Sequence, residues 1–97
     1  MSDPKAVQEA LLGVELHLET APEEALRCAQ QALQASALAV GSAAQLASHY
    51  ALAVALAAVG NEEGAAVARR AAEGLGSTNP QGVVWAAWHD QQRARIV

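Results

Sequence analysis

Three histidines, one cysteine and ten carboxylates are the side chains here with the means to do chemistry. A metal centre needs three or four ligands converging on one point. His17, His49 and His89 are far apart in sequence. His49 and His89 lie forty residues apart and can approach each other if the chain repeats at that interval. No cysteine or carboxylate joins them in the pattern, so the expectation is no metal site, with the histidines packed or facing water. Cys28 sits beside Leu26, Ala29 and Ala32. Its neighbours suit a small buried apolar group, and Arg27 alone is thin support for a reactive thiolate. Glu23–Glu24 and Glu62–Glu63 fall where helices begin, and carboxylates there complement the helix dipole. Glu23 and Arg27 also have the i,i+4 spacing of a helical ion pair. The chain has no phosphate-binding glycine loop, no Cys-x-x-Cys, no His-Glu-x-x-His and no nucleophile elbow. No catalytic residue and no cofactor are therefore expected, and the chain is read as not an enzyme. Trp85 and Trp88 are three residues apart and share a helix face with Val84. They are read as a seal on the open end of the core or as an aromatic anchor for a partner.

The elements that hold these side chains are marked by caps and breaks. Asp3 before Pro4 is a helix start, and the first helix runs to about Leu18. Thr20-Ala21-Pro22-Glu23 has the spacing of a capping box. The second helix then runs to Ala39 or Val40 and stops at Gly41. Ser42-Ala43-Ala44-Gln45 opens the third, and Gly60-Asn61 ends it and caps the fourth, Glu62 to about Leu75. Thr78-Asn79-Pro80-Gln81 repeats the Thr20 arrangement and starts the fifth, about Pro80 to Ala94. Short connections make consecutive helices antiparallel neighbours. One all-α domain spanning 1–97 is expected: a hairpin at 4–40, a hairpin at 43–75 and a capping helix at 80–95.

Composition agrees. About a quarter of the residues are alanine, the strongest helix former, and there is no phenylalanine. The sparse β-branched and aromatic residues speak against sheet. A formal net charge of −4 with scattered basic residues argues against nucleic acid. The lone cysteine excludes an internal disulfide and suits a reducing compartment. The start of the chain lacks the pattern of a signal peptide. The apolar run from Ala51 to Val59 is short of the roughly 20 residues that span a bilayer. The expectation is a soluble cytoplasmic protein with no membrane partner.

At an offset of forty, Leu12-Gly-Val-Glu-Leu16 aligns with Leu52-Ala-Val-Ala-Leu56, Glu23 with Glu63, Ala25 with Ala65 and Ala32 with Ala72. Each copy holds a helix, a tight turn and a second helix in one frame. A third copy beginning near Gly82 keeps Ala87 over Ala47 and His89 over His49, then turns polar as a capping helix does. These residues resemble the tetratricopeptide family in its long-period form. Leu12-Gly13 and Leu52-Ala53 occupy its Leu-Gly position, Gly60 its turn, and Ala25, Ala32, Ala65 and Ala72 its small crossing residues. Pro80 resembles its closing proline. Glu9 and His49 stand where the family has a large aromatic. The resemblance covers residues 6–95 and implies helical hairpins stacked as a short solenoid of about five helices.

It also implies a groove. No side chain from Ala51 to Val59 is polar, and a helix apolar all round is expected to be covered all round. In the family's stack the inner wall falls on Val7, Ala10, Val14, His17 and Leu18 of the first copy. In the second it falls on Ala47, Tyr50, Val54 and Ala57. Such a wall suits the apolar face of an amphipathic helix. It lacks the Lys, Arg and Asn with which chaperone-docking members read a terminal carboxylate. The function this implies is protein binding: an adaptor or chaperone for a helical peptide or small helical protein. The alternative is a structural unit whose third helix is buried in a homodimer. A third arrangement has the fifth helix cover the wall.

Overall fold

The computed structural model describes residues 4–38 and 42–96 and is all-helical. Its five helices are α1 (Pro4–His17), α2 (Pro22–Ala35), α3 (Ala43–Ala58), α4 (Glu62–Gly76) and α5 (Gly82–Ala94). The Asp3 cap and the Gly41 stop lie outside the described residues.

Two helix junctions follow local chemistry closely. The Ser42 side chain accepts from the Gln45 amide at 3.2 Å and opens α3. Gly60 takes φ +88°, a conformation open to a residue without Cβ. The Gly60 and Asn61 amides then donate to the Ala57 and Leu56 carbonyls, satisfying the end of α3. Asn61 turns at once to accept from the Gly64 amide at 2.9 Å and caps α4. Substituting such a cap by alanine costs about 1 kcal/mol.

Three boundaries depart from expectation. Thr20 does not cap α2. Pro22 holds the first turn and restricts the residue before it to extended backbone, so Ala21 becomes the boundary at φ −144° with no side-chain bond. Glu24, rather than Glu23, then pairs with Arg27. Near Pro80 the Asn79 side chain accepts from the Gln81 amide at 2.9 Å, and α5 begins only at Gly82. Helix α2 ends at Ala35, short of Ala39. Ser36 is the reason: it is fully buried, and its hydroxyl lies 3.2 Å from both the Leu33 carbonyl and the Ser48 hydroxyl of α3. A serine satisfied this way competes with the helix ladder.

Helices α1 and α2 pack as one pair and α3 and α4 as another, with α2 also against α3. Gly13 allows the first pairing to be close: a Cβ there would stand 2.6 Å from the Cys28 sulfur. Helix α5 lies on α3, with lighter contact to α4. A Cβ on Gly82 would stand 2.7 Å from the Gly76 carbonyl oxygen, so two glycine backbones touch where α5 leaves α4. From that contact α5 runs back over α3.

Two clusters form the core. Val14, Leu18, Ala25, Ala29, Ala51, Val54 and Ala55 join α1, α2 and α3. Leu46, Tyr50 and Ala72 join α3 to α4 beneath Trp85, Ala86 and Trp88 of α5. Trp88 touches both clusters. No described helix is long and apolar enough to cross a membrane.

Candidate interaction surface

The inner wall expected from the sequence is not an open groove. On α1, Val7, Ala10, Val14 and Leu18 are buried; on α3, Ala47, Tyr50, Val54 and Ala57 are buried. Only His17 is half-exposed. Two things close it: Val14, Leu18 and Val54 pack with α2 alanines in one cluster, and α5 lies over the rest. Its His89 ring meets Tyr50 at 5.5 Å between centroids, and its tryptophans pack on the cluster around Tyr50. An α3 apolar on every side is covered by α2, α4 and α5 of its own chain, and the wall becomes core.

The other candidates take ordinary places. His49 is half-buried. His89 is buried with its Nδ1 3.0 Å from Asp90. Among the described residues no three His, Cys, Asp or Glu converge as metal ligands. Cys28 is half-buried, and burial pushes its thiol pKa up, away from a reactive thiolate. Glu23–Glu24 and Glu62–Glu63 do occupy the first turns of α2 and α4. Glu62 also receives both oxygens' worth of hydrogen bonds from Arg93, at 2.9 and 2.7 Å. A hollow of about 170 Å³ beside this pair holds Arg69 and His89, but Arg69 faces Glu73 and Asp90, so its charges are matched.

Desolvation lowers the His49 pKa from its usual 6.5. The neutral ring is favoured in the folded chain, so the unfolded chain binds a proton first as pH falls. Stability is therefore expected to decline below about pH 6.5, the unfolded value, and the His49 contribution to level off once the folded ring also protonates. Melting temperatures between pH 8 and 5 check this, and His49→Gln should flatten the decline.

What remains open lies one face round α1. Gln8, Leu11, Leu12 and Glu15 stand opposite Trp85 and Trp88 across a hollow of about 330 Å³. A second hollow of about 260 Å³ adjoins it, sharing Gln8, Leu11 and Trp85 and reaching Ala43 and Ala44 at the start of α3. Together they make an apolar trough. The two tryptophans form one wall, edge to face at 5.6 Å and 71°. The Trp88 indole N–H donates to Glu15 at 2.5 Å and ties that wall to α1. Arg95 adds a second tie, donating to the Glu19 carboxylate and the Glu15 carbonyl. Leu12, which lines the trough, is 63% exposed.

No family model, curated protein or solved structure matches this chain. The surface must speak from its own geometry. The tryptophans, read in sequence as a seal on the core or as an anchor, are half-buried and pack on the core clusters. Their partners on α1 were not legible in sequence, because Gln8 and Glu15 interrupt the apolar pattern there. Val84, expected to share the tryptophan face, is instead 57% exposed.

Proposed function

We propose that this chain is a non-enzymatic, cytoplasmic interaction module that holds an apolar or amphipathic helix of another protein, as an adaptor or chaperone does. The observation that carries this reading is the trough between α1 and α5. It is floored by leucine, walled by two tryptophans and left open to water. Contiguous exposed apolar surface of this kind marks interaction sites, and aromatic walls supply most of the binding energy in such sites. The rim favours a partner with basic flanks. Gln8 and Glu15 are its polar residues, Arg95 beside it is already held by Glu19, and the chain carries −4 overall. A second copy would bring the same negative charge.

In the same reading the two hairpins are a short tetratricopeptide-like stack. Matched burial supports it: Val7 and Ala47, Ala10 and Tyr50, Val14 and Val54, Ala25 and Ala65, and Ala32 and Ala72 are all buried at the offset of forty.

The test uses the chain's two tryptophans, both in the trough, as the reporter. A model helix with leucine on one face and lysine on the other should change their emission saturably. Leu12→Asp should weaken that binding at least tenfold, with stability shifted by no more than about 0.5 kcal/mol, as for an exposed site. An unchanged affinity would put the partner elsewhere. A dimer that Leu12→Asp splits, seen by light scattering on dilution, would put a second copy in the trough.

A further inference from the structure

We infer that α5 is a strap hinged at Gly82 and latched at its far end by arginine ion pairs, so that ionic strength sets how often it lifts. Lifting takes the trough apart, because Trp85 and Trp88 of α5 are one of its walls. The latch stands on its own; its bearing on binding rests on the interaction reading above.

The body of the molecule holds together without α5. Helix α1 packs with α2, α2 with α3 and α3 with α4. Every buried apolar side chain among the described residues precedes α5. Helix α5 itself buries Gly82, His89 and Gln92. Its apolar hold is Trp85, Ala86 and Trp88, with Ile96 just past its end, all only partly buried against the core clusters. An element with so few buried apolar contacts opens before the rest.

The polar hold is uneven along α5. At its start it is a backbone contact, Gly82 against Gly76. Beyond its middle it is ionic. Arg93 donates to both carboxylate oxygens of Glu62 on α4, at 2.9 and 2.7 Å. Arg95, which closes α5, donates to Glu19 in the turn after α1 at 2.5 Å and to the Glu15 carbonyl of α1 at 2.8 Å. Asp90 lies 3.8 Å from Arg69 of α4. The far end of α5 is thus tied to both hairpins. From Gly82 onward the chain carries two arginines and one carboxylate, whereas the residues before it carry nine carboxylates and four basic side chains. A cationic strap lies on an acidic body, and the attraction acts beyond the individual pairs. Salt screens exposed charges of this kind. It leaves the tryptophan contacts in place.

A lifted α5 uncovers Leu46 and Tyr50 of α3 and removes the tryptophan wall. A helix seated in the trough touches α1 and α5 together and therefore holds the strap down. The two effects are reciprocal.

The experiment follows amide exchange helix by helix in the full chain. Sodium chloride is raised from about 10 mM to about 1 M, over which the screening length falls from about 30 Å to about 3 Å. Exchange in α5 should rise about tenfold relative to α3, as expected for the loss of two exposed ion pairs. The variant Arg93→Gln/Arg95→Gln should already exchange at the faster rate in low salt and respond little to more. The leucine–lysine helix, at about ten times its Kd, should slow α5 exchange about tenfold. An α5 indifferent to salt, a double variant as protected as the wild type, or equal acceleration in every helix overturns the latch. If the helix binds while α5 ignores salt, the latch falls and the interaction reading stands. If α5 answers to salt but the helix never binds, the interaction reading falls and the latch stands. A helix that binds without slowing α5 overturns the coupling between strap and trough.

Discussion

Val54→Asp is expected to leave the chain largely unfolded at neutral pH. Val54 is wholly buried, in a cluster with Val14, Leu18, Ala25 and Ala29. The buried side chains of that cluster are all hydrocarbon. An unpaired ion in such a site costs several kcal/mol even after relaxation. A domain of this size has a total stability of about 5–15 kcal/mol, so much or all of it is lost. Circular dichroism should show the helical signal lost, while Val54→Ala, which only removes volume, keeps it with a lower melting temperature. A Val54→Asp protein that stays helical and melts like the wild type would mean this face is open to water. The sequence by itself suggests the opposite outcome, a surface change that spares the helices. The difference between the two expectations is the packing of α1, α2 and Trp88 of α5 around Val54.

Trp88→Ala should weaken the fold by about 2–3 kcal/mol, below the 3–5 of a fully buried aromatic because Trp88 is half-exposed. The loss should be local first. Helix α5 has three buried residues, Gly82, His89 and Gln92, and none is an apolar side chain. Trp88 joins it to both core clusters and, through Glu15, to α1. Without that indole, α5 keeps Trp85 and Ala86 on the Tyr50 cluster, its glycine crossing, the His89–Tyr50 contact and ion pairs from Arg93 and Arg95, but loses its hold on the α1–α2–α3 cluster. Exposed ion pairs contribute about 1 kcal/mol or less each. Amide exchange should therefore accelerate across α5 while α3 keeps its protection, the pattern of sub-global opening. Equal acceleration in every helix would show that α5 and the core unfold as one.

Much of the fold was legible in local signals. Ser42 and Asn61 cap because a short oxygen-bearing side chain precedes a run of helix formers, and Gly60 closes α3 because only a residue without Cβ takes its φ cheaply. The Thr20 and Thr78 boxes misled because the proline two residues on constrains the residue before it more strongly than the threonine can organise. The end of α2 was hidden because Ser36 matters through Ser48, twelve residues away. The site was misplaced for a related reason. A helix without polar side chains says that it is covered but not by what, and α5 runs back from a backbone contact between Gly76 and Gly82 that no spacing announces. The trough follows from an α5 laid over α3 with its tryptophans beside α1.

The make-up of α3 also decides how this protein tolerates change. Ala47, Ala51, Ala53, Ala55 and Ala57 are buried along it, so neighbouring helices press against backbone more than against side chains. Most cores are damaged when a large side chain is trimmed. Along this axis there is little to trim, and each added methylene has nowhere to go, at a cost of about 1–3 kcal/mol. At these five alanines glycine and serine should be accepted where leucine is not.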